Sequence, residues 1–143
     1  MSADDSTAEA PRKMMAARLR AANLRATRQR VGLAELIFGS SHRHMTAEQL
    51  YSEARSEGLN VSQATVYNTL HSFLEAGFLR EIVVDPRRSY FDTNTAPHHH
   101  FYYEDENRLE DISPSAVRLE QLPSPPAGTR ISDVDVVIRV SKR

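Results

Sequence analysis

Residues 46–76, TAEQLYSEARSEGLNVSQATVYNTLHSFLEA, carry two helix signatures separated by a four-residue turn, and a chain holding them has few ways to fold. In the first, Thr46 and Gln49 stand in capping-box spacing, and Met45 is placed to staple onto Leu50. Ala47, Leu50, Tyr51 and Ala54 form its apolar side, and Gly58 stops it. After Gly58-Leu59-Asn60-Val61, Ser62 caps the second helix and Val61 can pack on Val66. Helical periodicity puts Val66, Leu70, Phe73 and Leu74 on one side of it, and Ala64, Tyr67, Asn68, His71 and Ser72 on the other. That second side is polar but uncharged, and Gly77 ends the helix.

The flanks complete a motif. Residues 12–23 have helix composition, Asn23 to Thr27 interrupts it, and Thr27 caps a helix through Phe38 with Val31, Leu33, Leu36 and Ile37 as its apolar side. Gly39-Ser40-Ser41 stops that helix. Downstream, strands are expected at 78–84 and 89–92, joined by Asp85-Pro86-Arg87-Arg88 with proline where a type I turn wants it. Helix, tight turn, helix and basic-tipped hairpin is the order of a winged helix-turn-helix. A second helix showing hydroxyls, amides and an aromatic suits base edges in a major groove. The competing reading is a solvated helical hairpin that touches no nucleic acid.

Charge supports the first reading. The net charge is only −1, yet Arg12, Lys13, Arg18, Arg20, Arg25, Arg28 and Arg30 fall in one acid-free stretch, which suits a polyanion or else a solvated helix face. There is no cysteine, which removes disulfides, thiolate zinc sites, cysteine nucleophiles and thiol switching together. Any metal must be held by nitrogen and oxygen. No HExxH, nucleophile elbow or general-base pairing occurs, so an enzyme is not expected. No run approaches the ~20 apolar residues of a membrane span, and MSADDSTAEAPRKMM has acids where a secretory signal carries basic and apolar regions. A cytoplasmic protein with no membrane partner is expected.

Beyond Asp92 the texture changes. Asn94 to Pro97 reads as a linker, 98–104 as a strand, Asn107 as a turn, 108–112 as a second strand and Ser113 to Leu122 as a short helix. Pro123 to Gly128, PSPPAG, breaks structure, and 129–140 alternates imperfectly as a last strand. Three strands and one helix make a marginal domain, so a second copy is a natural way to complete its core. The expected fold class is α+β: a winged helix-turn-helix domain over 1–93, then a small α/β dimerisation and sensory domain over 94–143.

Residues 97–112, PHHHFYYEDENRLEDI, hold three of the six histidines, followed by five acids. On a strand, His98 and His100 share one face and His99 takes the other. Two imidazoles on one face can share one ion, with His44 and Asp111 as further ligands, an N/O set for Fe(II), Mn(II) or Zn(II). Imidazole also ligates heme iron, and Phe101, Tyr102 and Tyr103 offer an apolar wall. An exposed polar strand is the third reading. His71 is expected to face DNA or solvent, and His42 to lie in a loop.

The stretches LRATRQR, HMTAEQLY, SQATVYNTLHSFLEAGFL and SYFDTN with the HxH pair together resemble the ferric uptake regulator family of bacterial metal-dependent repressors, over roughly residues 14–140. Within it the chain looks most like the iron response regulator branch, which lacks the cysteines and carries a three-histidine run. The resemblance implies a regulator, responsive to iron and heme, that binds inverted-repeat operator DNA as a homodimer, with a heme-biosynthesis protein as a further partner. A manganese- or zinc-responsive or peroxide-sensing repressor of the same family is the alternative. It places Tyr67 and Asn68 in the major groove and Arg25 in the minor groove. With the polar helix start and the basic flanks, the candidate DNA contacts are Arg25, Arg28, Gln63, Thr65, Tyr67, Asn68, Arg87 and Arg88. It further implies heme or a divalent metal (iron or manganese, with zinc as a third candidate) at His44, Asp92, His98, His99, His100 and Asp111. Where relatives have the first pair of cysteines for structural zinc, this chain has Tyr103 and Glu106, so that zinc is expected to be absent. Pro97, Arg118 and Val134 stand near ligand positions of a second family site, of which only His99 remains.

Overall fold

The computed structural model describes residues 3–143, with side chains from residue 11 onward; Met1 and Ser2, at the start of the expected first domain, lie outside the described residues. It divides into two compact units, Met1–Thr95 and Ala96–Arg143. Apart from the two-residue β1, the helices precede the strands, and most strand pairs are antiparallel, which makes the chain α+β. Among the described residues no helix is long and apolar enough to cross a membrane.

The first unit opens with α1 (Ala3–Ala21), which starts well before the expected residue 12 and carries Pro11 inside it. It ends where Asn23 takes φ 61°, a left-handed conformation that asparagine tolerates, while the Leu24 amide donates back to the Leu19 carbonyl at 2.8 Å. Thr27 caps α2 (Arg28–Phe38) by accepting from the Arg30 amide. Both halves of the Thr46 capping box form at the start of α3 (Ala47–Ser56): Thr46 Oγ1 accepts from the Gln49 amide at 3.1 Å, and Gln49 Oε1 from the Thr46 amide at 3.0 Å. Ser62 caps α4 (Gln63–Glu75), and Gly58 and Gly77, at φ 74° and 80°, turn the chain out of α3 and α4.

Leu33, Ile37, Leu50, Val66, Leu70 and Phe73 meet at the centre with no more than 1% exposure. Burying each such side chain contributes about 1.5–3 kcal/mol. Thr69, on neither side of the expected pattern, is also buried.

The hairpin is β2 (Arg80–Asp85) with β3 (Arg88–Asp92), and the Arg87 amide donates to Asp85 Oδ1 at 2.8 Å across its turn. The expected strand start at 78 falls in the turn after α4. A two-residue strand that patterning does not signal, β1 (His44–Met45), pairs antiparallel with β3 and gives the order β1-β3-β2. Two residues carry no period, so only the partner strand defines β1.

The second unit is a three-stranded sheet in the order β5-β4-β6. β4 (His99–Tyr103) pairs antiparallel with β5 (Arg108–Ile112) and parallel with β6 (Val137–Val140). Two expectations are corrected here. In place of a helix over 113–122 there is a single 3-10 turn, Pro114–Ala116, and then irregular chain. Leu119 and Leu122 are 45% and 48% exposed, so a helix would have no face to bury, and the prolines from Pro123 onward prevent extension. The last strand begins at Val137 rather than 129, because β4 offers ladder partners only from His100 onward.

Candidate metal centre and nucleic-acid interface

Antiparallel pairing sets His100 opposite Asp111, and His98 sits two residues earlier on the same side. His100 Nε2 lies 3.2 Å and His98 Nε2 3.5 Å from Asp111 Oδ1, and the two rings are 4.5 Å apart. The His98 and His100 rings are buried, whereas the Asp111 side chain is about half exposed.

His98 Nδ1 is 2.7 Å from the Ala96 carbonyl, which can only accept, so Nδ1 carries the hydrogen. The Nε2 of the neutral ring is then a lone pair facing a carboxylate oxygen, an arrangement that needs a proton or a cation between the two. This is how ligating histidines are oriented by their outer nitrogen. Ligand atoms about 2.1 Å from one ion stand roughly 3.0–3.5 Å apart. The Nε2 to Oδ1 separations of 3.2 and 3.5 Å match, and the three ligand atoms all lie within 4.8 Å of one another. The donor set fits a divalent ion that accepts nitrogen and oxygen.

His99 points away from this pair, and its Nδ1 accepts the Val136 amide at 3.2 Å. One ring nitrogen of His99 is thus committed to holding the chain that leads into β6, a role alternation alone does not reveal.

In the first unit, His44 of β1 and Asp92 of β3 are direct cross-strand partners. Asp92 is 1% exposed and its Oδ1 accepts the Asn94 amide at 2.9 Å. Arg43, which the sequence did not single out, holds this strand in place. Its guanidinium makes a two-pronged pair with Glu53 at 3.0 and 2.9 Å and reaches the Leu36 carbonyl, while its backbone pairs with Thr93. The available signal was an arginine next to His44 with Glu53 on the following helix.

On α4, Gln63, Ala64 and Asn68 are exposed and Tyr67 is 54% exposed. Thr65 is half-buried, and both its amide and its hydroxyl are engaged with the capping Ser62. Arg25, Arg28 and Arg87 are exposed, and Arg88 is half-buried. His71 lies on the Tyr67 side of α4, where the periodicity puts it, and is half-buried. Its ring packs at a tilt against Tyr67, centroids 4.5 Å apart, lies edge-on to Phe91 at 6.2 Å, and its Nε2 is buried. His42 does lie in a loop, its Nδ1 3.2 Å from Thr93 Oγ1.

Residues 21–138 match the Ferric uptake regulator family. The chain belongs to the ferric uptake regulator family. It is 34% identical over 121 residues to the peroxide-responsive repressor PerR of Staphylococcus epidermidis, covering 84% of this chain and 77% of that protein. The PerR of Staphylococcus aureus strain Mu50 is 35% identical over 107 residues, covering 74% of this chain and 72% of its own. Among solved structures, the Pseudomonas aeruginosa ferric uptake regulator with manganese superposes with a TM-score of 0.66 at 26% identity, over 89% of this chain and 96% of that one. The Vibrio cholerae ferric uptake regulator, at 20% identity and a TM-score of 0.70, covers 89% and 98% and shows the shared fold. The chain is accordingly a metal-responsive transcriptional regulator of the ferric uptake regulator family, not an enzyme.

Tyr103 and Glu106 stand where the sequence comparison puts the first cysteine pair, and they hold no thiolate. Tyr103 donates to Glu110 Oε2 at 2.7 Å, Arg108 lies 3.7 Å over the Tyr103 ring, and Arg108 Nε donates to Glu106 Oε2 at 2.7 Å. The hydrogen bond to the Glu110 carboxylate holds the Tyr103 phenol above its ordinary value, and the bond to Glu106 does the same for the Arg108 guanidinium.

Proposed function

We propose that this chain is an iron-responsive regulator that binds inverted-repeat operator DNA as a homodimer in the cytoplasm. Residues 1–93 read the duplex, and residues 94–143 dimerise and sense the ion. The observation that carries the reading is the convergence of His98 Nε2 and His100 Nε2 on Asp111 Oδ1, with the His98 tautomer set by the Ala96 carbonyl. His98, His100 and Asp111 would hold the ion, with His99 outside the set. A divalent ion there supplies positive charge between two buried imidazoles and a carboxylate. Its binding favours whichever arrangement presents the two α4 helices at operator spacing.

The buried rings support an ion over heme. At 4% and 1% exposure, His98 and His100 turn toward a carboxylate, whereas axial ligation of heme needs a ring open to a porphyrin face. The missing cysteines and the HHH run support the iron response regulator branch. A peroxide-responsive role is the second reading, favoured by the PerR relatives. Exposed apolar residues in the second unit, Leu119, Leu122, Ile131 and Ile138, support dimerisation.

Calorimetric titration with Fe(II), Mn(II), Zn(II) and heme, followed by anisotropy on operator DNA, tests the proposal. His98→Ala with His100→Ala should abolish a metal-dependent change of roughly 5- to 150-fold in DNA affinity. An unchanged response in that variant would refute it. Loss of DNA binding on hydrogen peroxide with Fe(II) but not with Mn(II) would favour the second reading.

A further inference from the structure

We propose that His71 is a positioning residue for sequence reading: its ring sets the Tyr67 ring against the groove by wedging it from the Phe91 side. This rests on the proposal that α4 enters the major groove. Tyr67 and His71 lie four residues apart on α4, one turn, where side chains meet. Their ring centroids are 4.5 Å apart, and His71 in turn meets the edge of Phe91 at 6.2 Å. Phe91 is 2% exposed, belongs to the hydrophobic core and is held in β3 opposite Met45 and Glu81. The stack therefore runs from a fixed core side chain to a reading side chain that is 54% exposed.

One ring nitrogen of His71 is withdrawn from solvent in this arrangement. Its Nε2 is buried with no hydrogen-bond partner, a condition that calls for an explanation in a folded protein. Nε2 is therefore not presented to a base or phosphate. Here the flat ring itself is the useful part. An exposed tyrosine on a helix otherwise samples several rotamers, and confining it before binding removes an ordering cost from the complex. The side chain that gains is Tyr67, whose ring is suited to packing on a thymine methyl.

The test uses the full chain loaded with Mn(II) and a duplex selected by the wild-type protein from a random pool, with a random-sequence duplex as control. His71→Ala should weaken the selected duplex about tenfold and the random one less than about twofold. Replacing thymines one at a time by uracil should locate a methyl that the wild type needs and that both His71→Ala and Tyr67→Ala ignore. The double variant should be no weaker than Tyr67→Ala alone. His71→Phe should retain wild-type discrimination, since it keeps the ring, and it guards against an alanine variant that merely folds poorly. Should His71→Gln retain discrimination while His71→Phe loses it, the nitrogen contacts DNA directly and the positioning role is wrong. Additive losses in the double variant overturn it too. If Tyr67→Ala binds the selected duplex as tightly as wild type, the groove reading of Tyr67 fails and this proposal with it; if Tyr67→Ala weakens binding and His71→Ala does not, only the positioning role fails.

Discussion

The two units are held together in different ways. Residues up to Thr95 surround a core in which Leu33, Ile37, Leu50, Leu70 and Phe73 are fully buried, whereas the second unit buries chiefly Tyr102, Leu109, Ile112 and two histidines. The first needs no ligand to explain its packing. The second places His98 and His100 where a core would put aliphatic side chains. The proposed sensing falls in the more thinly packed unit, where the free energy of ligand binding is the larger share of the total.

The largest expected effect tests this contrast directly. Phe73→Ala should destabilise the protein by about 3–5 kcal/mol, and Leu109→Ala in the thin sheet by about 2 kcal/mol or less, as measured by denaturant unfolding. Equal costs would show that the second unit is as firmly packed as the first. Next comes ligand linkage. Mn(II) at about 100 times its Kd should stabilise the wild type by about 2.7 kcal/mol and the His98→Ala, His100→Ala variant by almost nothing. Hydrogen exchange should place the added protection in β4 and β5 first.

On the reading side, Asn68→Ala should cost roughly 1–3 kcal/mol on specific DNA and little on a random duplex. Arg87→Ala should weaken both alike and lower the salt slope by about one. Anisotropy at several salt concentrations separates the two, and a uniform loss for Asn68→Ala would remove it from the base-reading set. The smallest effect concerns Tyr103. Its pKa is raised in the fold, chiefly by the Glu110 hydrogen bond, so its contribution to stability is present below pH ~10 and is lost as pH rises through the raised value. Absorbance titration of Glu110→Gln should show the phenol moving back toward 10.0.

Legibility in the sequence followed the same division. Thr27, Thr46 and Ser62 as caps, and Gly58 and Gly77 as stops, are local signals, and each sits where patterning puts it. The strand alternation that separates His99 from His98 and His100 is local as well, and it holds. The expected helix at 113–122 failed because composition signals a helix without saying whether any surface exists to receive it.

From the sequence alone came the order of helices and hairpin, the ends of most of those elements, and the N/O character of any metal site, because caps, turns, side-chain period and the lack of cysteine are properties of near neighbours or of composition. The tertiary structure decided the rest. β1 exists only against β3, and β6 runs parallel to β4 across a long irregular segment. Asp111 comes within 3.2 Å of His100 only through strand register, and His71 meets Phe91 of β3 only in the folded unit. Each of these is a meeting of residues from different elements, settled by packing that no local pattern encodes.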